Sequence, residues 1–328
     1  MGVNLNGALL AIDAGNSKTD AAVLARDGTV LGEARGGGFQ PPVVGVEAAV
    51  DVLAEIVGRA WEAAGGGALP PAFARVAACL ANADLPVEEE ELAAALTARG
   101  WSPSTRVHND TFALLRAGVD EPRGVAVVCG AGINCAGMLP DGRTARFPAL
   151  GKISGDWGGG GGLAEEALWF AARAEDGRGE ATALARALPG HFGLPSVYAL
   201  IEALHRGRLP AERRHELTPV LFRTIAEGDP VARSLVDRLA EEVVAMAAVA
   251  LGRLGLLDDE APVVLGGSVL AARHPRLDEG IAERLAAKAP KAVIRVVTAP
   301  PVLGAGLLAL DAERAGPKAA ARLRAHYA

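Results

Sequence analysis

The chain has 328 residues, of which 50% are hydrophobic and only 4% are aromatic. A chain of this length can bury the cores of about two domains, and the scarcity of aromatic residues means that alanine, leucine and valine must fill them. The formal net charge of −6, with basic residues scattered along the sequence, argues against a nucleic acid or an anionic membrane surface as a partner.

The sequence favours a cytoplasmic location. No apolar run reaches the roughly 20 residues of a transmembrane helix, and the opening segment MGVNLNG lacks the basic and apolar regions of a signal peptide. Cys79, Cys129 and Cys135 lie in or beside apolar runs, and none forms a C-x-x-C motif. We therefore expect buried thiols in a reducing compartment.

The first half of the chain is predicted to open with an antiparallel meander of three strands, at residues 8–13, 20–26 and 29–35. An Asp27-Gly28 hairpin turn joins the last two strands. The following elements are predicted in the order helix, strand, helix, strand, helix, at residues 46–64, 75–81, 88–99, 104–109 and 111–117. We place a lobe boundary near residues 118–124.

A polar turn separates the first two strands at residues 13–19, which read Asp-Ala-Gly-Asn-Ser-Lys-Thr. Small residues let backbone N–H groups approach phosphate oxygens closely. Ser17 and Thr19 add hydroxyls, Lys18 adds a positive charge, and the carboxylate of Asp13 could hold the waters of a Mg²⁺ ion. The alternative is an ordinary hairpin turn in which Lys18 is only solvated.

The second half begins with the same pattern. A strand at residues 124–129 leads into a small-residue turn at residues 130–134, and a second strand follows at residues 135–139. This duplicated strand–turn–strand is a candidate internal repeat. The later elements are predicted as helices at residues 163–174, 181–188, 197–204, 212–227, 231–254, 276–288 and 302–313, with strands at residues 262–265 and 293–297.

Five motifs occur in an order that is typical of one known family. They are D-x-G-x-S-K-T at residues 13–19, N-D at residues 109–110, G-x-G-x-N at residues 130–134, S-G-D-x-G-G at residues 154–159 and V-V-L-G-G-S at residues 263–268. In this order the chain resembles the N-acetylglucosamine kinase branch of the BadF/BadG/BcrA/BcrD ATPase family. That family belongs to the actin, Hsp70 and sugar-kinase superfamily.

The resemblance implies an α/β fold of the two-lobe, actin-like ATPase type (ribonuclease H-like), with ATP in a central cleft. Residues 1–118 and about 313–328 would form the N-terminal lobe, and residues 119–312 the C-terminal lobe. The resemblance also implies ATP and Mg²⁺ as cofactors, a small-molecule sugar as substrate, and a homodimer.

Matching positions imply a role for each motif. Asp110 corresponds to the catalytic aspartate of the family, and Asp13 to the residue that positions the metal. The implied ATP-binding residues are Gly15, Asn16, Ser17, Lys18, Thr19, Gly130, Ala131, Gly132, Asn134, Gly266, Gly267 and Ser268. The implied substrate-binding residues are Gln40, Asn109, Asp110 and Asp156.

The chain departs from the family where the amino sugar is recognised. Related kinases often carry an Asn after the glycines of the first lobe's loop, whereas this chain has Phe39-Gln40-Pro41-Pro42. Ala131 stands where a Thr is common, and Ala14 and Asn16 replace glycines. The identity of the acceptor sugar therefore stays open.

Some of these residues also have ordinary structural explanations. Asn109-Asp110 could cap the helix that follows it, and Asp156 could cap the turn before Trp157. The turn at residues 266–268 could simply begin a helix. The glycine run at residues 158–162 is more typical of a hinge or a close approach of two backbones than of a phosphate site.

The sequence predicts an ATP-dependent kinase that phosphorylates N-acetylglucosamine or glucosamine at the 6-hydroxyl, with Asp110 accepting the proton of that hydroxyl. One alternative is an ATPase activator of a 2-hydroxyacyl-CoA dehydratase or benzoyl-CoA reductase system. Such activators hold an iron–sulfur cluster with cysteines, which the apolar surroundings of the cysteines disfavour. The other alternative is a non-catalytic sugar sensor. The early first strand disfavours it, because little chain precedes that strand to form a helix-turn-helix.

Overall fold

The computed structural model describes residue 5 and residues 7–67 and 72–328. The chain divides into two compact units. Unit 1 comprises Met1–Ala126, Ala136–Pro148 and Val297–Ala328, and unit 2 comprises Val127–Cys135 and Ala149–Val296. In the ranges that the structure describes, none of the helices has the length and apolar character needed to cross a membrane.

The chain combines strands and helices. The strands are β1 (Leu9–Ala14), β2 (Thr19–Leu24), β3 (Val30–Gly36), β4 (Arg75–Leu80), β5 (Thr105–Asn109), β6 (Gly124–Cys129), β7 (Ile133–Met138), β8 (Thr144–Arg146), β9 (Pro262–Gly266) and β10 (Val293–Val296). The helices are α1 (Pro41–Val44), α2 (Val46–Ala63), α3 (Pro86–Ala98), α4 (Asp110–Gly118), α5 (Gly159–Glu175), α6 (Leu184–His191), α7 (Val197–His205), α8 (Leu217–Ile225), α9 (Pro230–Leu254), α10 (Ser268–Ala271), α11 (Pro275–Lys288), α12 (Pro301–Ala312) and α13 (Pro317–His326). Strands and helices alternate from α2 to β6, whereas α5 to α9 follow one another without a strand.

Unit 1 is built on a sheet with the strand order β3-β2-β1-β4-β5. Strand β2 pairs antiparallel with both β1 and β3, which confirms the predicted meander. Strands β1, β4 and β5 run parallel to one another. The carboxyl ends of these three strands therefore lie at the same edge of the sheet, which is where ligands commonly bind in open α/β sheets.

Helices cover both faces of this sheet, and β1 is buried along its whole length as a result. Successive side chains of a strand point to opposite faces. Leu10 and Ile12 enter a core that α2 and α3 complete, whereas Leu9 and Ala11 enter the core formed with α4 and α12. Burial on both faces explains why β1 reads as a continuous apolar run that stops at Asp13.

Helix α12 packs against α4 and β1 in unit 1. The packing is close because α12 presents Gly304 to α4: a Cβ atom at this position would lie 1.7 Å from the carbonyl oxygen of Ala113. The sequence placed residues 302–312 in the C-terminal lobe, whereas the structure groups them with unit 1. The lobe boundaries themselves stay a prediction.

The second sheet has the strand order β10-β9-β6-β7-β8. Strand β9 is parallel to β10, and β7 is antiparallel to β8. The division between the units falls within β6 and β7. The strand–turn–strand pattern of β1 and β2 thus recurs in β6 and β7, as the repeat in the sequence predicted.

Two helices of the structure, α1 and α13, are absent from the sequence-based expectations. Helix α1 is a single turn of four residues that begins with Pro41 after Gln40, and proline is favoured in this first position of a helix. Helix α13 buries only Ala319 and Leu323. Neither helix carries the repeated apolar spacing from which a helix is predicted.

Replacing Gly304 with alanine should destabilise the protein, because the new methyl group must displace the backbone of α4. Overpacking of this kind costs about 1–3 kcal/mol, which denaturant unfolding followed by circular dichroism would measure. Gly58→Ala in α2 is the matched control, since no atom lies within 4 Å of that Cβ position. Alanine there should raise stability by about 0.5–1 kcal/mol. A Gly304→Ala protein as stable as the wild type would contradict the close contact.

Candidate functional site

Three aspartates gather at the carboxyl edge of the first sheet. Asp13 is the penultimate residue of β1, Asp84 follows β4, and Asp110 directly follows β5. Electrostatic coupling links Asp110 to both of the other two carboxyl groups. Asp13 and Asp110 were predicted as site residues, whereas Asp84 was missed. The sequence signal for it is weak: two polar residues, Asn82 and Asp84, follow closely after the apolar strand β4.

Asp13 is a buried carboxyl group, with 6% of its surface exposed. Burial raises the pKa of Asp13 to about 8, and the charges of Asp110 and Asp20 act in the same direction against the opposing charge of Lys18. Asp20 lies opposite Asp13 in the β1–β2 pair. Both donors of the Arg35 fork go to Asp20, with Nε–Oδ1 and Nη2–Oδ2 distances of 2.6 and 3.1 Å. The negative charge around Asp13 is therefore poorly compensated.

The first predicted phosphate turn lies between β1 and β2 and exposes Asn16, Ser17 and Lys18. The backbone N–H of Gly15 donates to the Lys18 carbonyl oxygen at 2.8 Å, which closes the turn. Thr19 is already the first residue of β2 and is fully buried. Its hydroxyl makes no hydrogen bond within the part of the chain that the structure describes.

The segment at Phe39 and Gln40 is tied to this turn. The backbone N–H of Phe39 donates to the carbonyl oxygen of Gly15 at 2.9 Å, and Gln40 Nε2 donates to the carbonyl oxygen of Asn16 at 2.8 Å. Asn82 Nδ2 donates to Asn16 Oδ1 at 2.9 Å and to the Phe39 carbonyl oxygen at 3.2 Å. The amide nitrogen of Gln40 is thus engaged within the turn, and its role toward a substrate stays a prediction.

Asn109 caps helix α4, as the structural explanation of the N-D motif anticipated. Its Oδ1 atom accepts a hydrogen bond from the backbone N–H of Thr111 at 3.0 Å. Its Nδ2 atom donates to Asp84 Oδ1 at 2.8 Å. Only 3% of the Asn109 surface is exposed, so the predicted contact of this amide with a substrate hydroxyl stays a prediction.

Asp110 is the first residue of α4 and is half-buried. Burial raises the pKa of Asp110 to about 6, while hydrogen bonds from the backbone N–H groups of Thr111 and Asp110 itself act in the opposite direction. The positive end of a helix favours a carboxylate in the first turn. Asp110 is therefore partly exposed and has a pKa not far below neutral pH. Both properties suit a general base.

The second predicted phosphate turn, at residues 130–134, lies in unit 2 and is closed by a 2.9 Å hydrogen bond from the Gly130 N–H to the Gly132 carbonyl oxygen. Asn134 Oδ1 accepts a hydrogen bond from the Cys135 N–H at 2.7 Å. The start of α5 supports the turn: the N–H groups of Gly160 and Gly161 donate to the carbonyl oxygens of Gly130 and Ala131 at 2.7 and 3.0 Å.

Gly159 shows why glycines begin α5. Its φ angle is +73°, and a Cβ atom there would lie 2.6 Å from the Ala131 carbonyl oxygen. A side chain at this position would push the helix away from the turn. The glycine run at residues 158–162 is thus a close approach of two backbones, as its composition indicated.

A cavity of about 590 Å³ lies in unit 2. It is lined by Gly130 and Ala131 of the second turn, by Ser268 at the start of α10, and by the packed rings of Phe222 and His274. Gly267 is the N-cap of α10, so the turn at residues 266–268 does begin a short helix. Two motifs that are far apart in the sequence therefore line one cavity, whose volume suits a small organic ligand.

Asp156 lines a second cavity of unit 2, of about 250 Å³, together with Gly132 and Trp157. Its Oδ2 atom accepts hydrogen bonds from Ser154 Oγ at 2.6 Å and from the Gly151 N–H at 3.1 Å. Asp156 thus fixes its own turn, as the structural explanation anticipated. Its predicted role toward a substrate stays a prediction.

Two relatives of similar sequence are named as amino-sugar kinases. The N-acetylmuramic acid/N-acetylglucosamine kinase of Clostridium acetobutylicum is 26% identical over 265 residues, which cover 80% of this chain and 85% of the relative. The N-acetyl-D-glucosamine kinase of Dictyostelium discoideum is 26% identical over 218 residues, covering 66% and 68% of the two chains.

The structure resembles that of a candidate N-acetylglucosamine kinase from Chromobacterium violaceum, with a TM-score of 0.69 at 24% identity over 92% of this chain and 98% of that one. The likeness confirms the predicted fold class, the α/β fold of actin-like sugar kinases. A sequence profile of the BadF/BadG/BcrA/BcrD ATPase family matches residues 10–309. Because this match spans nearly the whole sequence, the chain belongs to the BadF/BadG/BcrA/BcrD ATPase family.

Proposed function

We propose that the protein is an ATP-dependent kinase of an amino sugar, which transfers the γ-phosphoryl group to the 6-hydroxyl of N-acetylglucosamine or glucosamine. The observation that carries the proposal is the half-buried carboxylate of Asp110, at the same sheet edge as Asp13 and the first turn. The names of the relatives from C. acetobutylicum and D. discoideum support the choice of substrate, and membership in an ATPase family implies ATP.

Asp110 would accept the proton of the attacking hydroxyl. With a pKa of about 6, the side chain is largely ionised at neutral pH and still basic enough to take a proton late in the transfer. It also holds the sugar oxygen in position before the transfer, so that alignment contributes along with proton removal. General-base assistance of this kind is worth about 10²–10⁴ in rate.

The surroundings of Asp13 fit a divalent cation. Burial raises the pKa of this carboxyl group to about 8, and the charges of Asp110 and Asp20 add to the shift. The described residues include no group of three or more His, Cys, Asp or Glu side chains that could hold a metal ion. Mg²⁺ commonly uses only one or two carboxylates together with phosphate oxygens and water, so Asp13 would suffice. When bound, the ion would neutralise charge on the transferring phosphoryl group.

The cavity of unit 2 would hold the nucleoside. Its apolar walls, which include Phe222 and Pro219, suit a purine ring, while Ala131 would direct its backbone N–H group toward the phosphates. The exposed part of the first turn, at Asn16, Ser17 and Lys18, would contact phosphate groups. Ala131 has no hydroxyl, whereas related kinases commonly have Thr at this position. The second turn would therefore contact the phosphates through its backbone alone.

The wider setting of the enzyme is part of the same proposal. We infer a cytoplasmic homodimer that acts on a small sugar, as the family resemblance implies. The net charge of −6 favours such a substrate over a nucleic acid.

The cysteines favour the kinase over an electron-transferring activator. Cys79, Cys129 and Cys135 are each 0% exposed, and burial raises the pKa of all three thiols. An iron–sulfur cluster is held by cysteine thiolates, and the raised pKa values disfavour the thiolate form of these three side chains. These thiols are inert core side chains.

The Asp110→Asn variant tests the proposed function. Sugar-dependent ADP formation should fall by at least about 100-fold, since the amide cannot accept the proton, while ATP binding should stay close to that of the wild type. A coupled ADP assay would compare glucose, glucosamine, N-acetylglucosamine, N-acetylmannosamine and no sugar. Asp51→Asn is the control, because Asp51 is an exposed aspartate of α2 that pairs with Arg99. Unchanged turnover in Asp110→Asn would remove this residue from the chemistry.

The pH dependence of stability tests the buried charge at Asp13. Because the pKa of Asp13 is raised from 3.8 to about 8, the folded protein keeps a proton that the unfolded chain releases. The contribution of this proton to the free energy of unfolding is complete below pH 3.8, and it is lost as the pH rises toward 8. Asp13→Asn should therefore gain stability relative to the wild type as the pH rises, by at least about 1.4 kcal/mol at pH 8 compared with pH 5.

This comparison requires urea unfolding at several pH values, without nucleotide or divalent cations. The free energies of unfolding of the wild type and of Asp13→Asn are then compared. A difference that stays constant from pH 5 to pH 8 would show that Asp13 is not protonated in the free protein.

Gly159→Ala tests the second turn. The added methyl group would push α5 away from Ala131 and should weaken ATP binding by about tenfold or more, a loss of about 1.4 kcal/mol. Gly162→Ala is the matched control in the same helix, because no atom lies within 4 Å of its Cβ position. Titration calorimetry with ATP would measure both. Equal affinities in the two variants would argue against phosphate binding at this turn.

A further inference from the structure

Asp84 is held at the sheet edge by its backbone and by its side chain independently. Its backbone N–H donates to Glu88 Oε2 at 3.0 Å, and its carbonyl oxygen accepts from Arg146 Nη2 at 2.9 Å. These two contacts hold the entry into α3 without using the carboxyl group. The Asp84 carboxylate instead accepts a hydrogen bond from Asn109 Nδ2 at 2.8 Å. Its side chain is therefore not required for the local turn.

The carboxylate of Asp84 fixes the orientation of the Asn109 amide. When it is ionised, a carboxylate only accepts hydrogen bonds, and Asp84 Oδ1 faces the NH₂ end of that amide. The carbonyl end then faces the Thr111 N–H, from which it accepts the bond that caps α4. If the amide were reversed, its oxygen would face the Asp84 carboxylate and its NH₂ group would face the Thr111 N–H, and neither pair could form a hydrogen bond. Asp84 thus acts through Asn109 on the first turn of α4, where Asp110 stands.

Asp84 is also coupled to Asp110 by charge. Burial raises the pKa of Asp84 to about 7, and the charges of Asp110 and then Glu88 contribute, while Arg146 and the bond from Asn109 oppose the shift. Glu89 lies beyond Arg146 and pairs with it at 2.7 Å. From β1, Asp13 is also under the influence of the charge of Asp110. The charge of Asp110 therefore acts on the ionisation of Asp84, at the other end of the Asp84–Asn109–α4 connection.

We propose that Asp84 is a positioning residue for phosphoryl transfer: by fixing the Asn109 amide it fixes the start of α4, and so the Asp110 carboxylate against the acceptor hydroxyl. The inference rests on the proposed kinase function and adds to it a residue outside the five sequence motifs.

Two substitutions separate the hydrogen bond from the charge. Asp84→Asn keeps an oxygen that can accept from Asn109 and removes the charge, whereas Asp84→Ala removes both. Asp84→Ala should lower kcat with the sugar by about 10- to 100-fold, as expected when a catalytic group is misplaced by about 1 Å, while KM for ATP should stay close to that of the wild type. Asp84→Asn should recover most of the loss. Asp51→Asn should leave kcat unchanged.

A second readout does not depend on activity. Carboxyl-carbon NMR of the free enzyme should show Asp84 titrating near pH 7. In Asp110→Asn the pKa of Asp84 should fall, because a neighbouring negative charge is lost. This titration also decides the coupling between the two residues if Asp84→Ala does not fold.

The outcomes separate the two levels of the proposal. A wild-type enzyme that forms no ADP with any sugar would contradict the kinase function, and the NMR titration would then still decide the coupling between Asp84 and Asp110. In an active enzyme, a wild-type kcat in Asp84→Ala would overturn the positioning role. An Asp84 pKa that does not move in Asp110→Asn would overturn the coupling.

Discussion

The site in unit 1 depends on the burial of carboxyl groups where three parallel strands end. Parallel pairing of β1, β4 and β5 places Asp13, Asp84 and Asp110 at one edge of the sheet, where Asp13 is buried and the other two are half-buried. Their pKa values, about 8, 7 and 6, are all raised by burial. Such an edge binds cations and hydroxyl donors because both relieve the excess of negative charge.

Other segments of the fold hold the two predicted phosphate turns in place. In unit 1, Asn82 and the segment at Phe39 and Gln40 fasten the turn after β1. In unit 2, the glycine-rich start of α5 performs the same task for the turn after β6. The side-chain amides of Asn82 and Gln40 fasten the first turn together with a backbone hydrogen bond, whereas α5 fastens the second through backbone atoms. The duplicated strand–turn–strand thus has two different supports.

The sequence predicted the regular parts of the fold and the positions of the motifs, because alternating apolar runs and turn residues are local signals. It could not predict Asn82 and Asp84 as members of the site, since their importance depends on which strands become neighbours. The engagement of Asn109 and Gln40 within the protein is also a consequence of tertiary contacts. Short elements such as α1 escaped prediction because four residues carry no periodic pattern.

The product of the reaction tests the central claim most directly. Wild-type protein incubated with Mg²⁺, ATP and N-acetylglucosamine or glucosamine would be followed by ³¹P NMR with coupling to the sugar protons. We expect a phosphate monoester coupled to the protons on C6 of the sugar, formed in equal amount with ADP. Release of inorganic phosphate at a rate that no sugar changes would contradict the account.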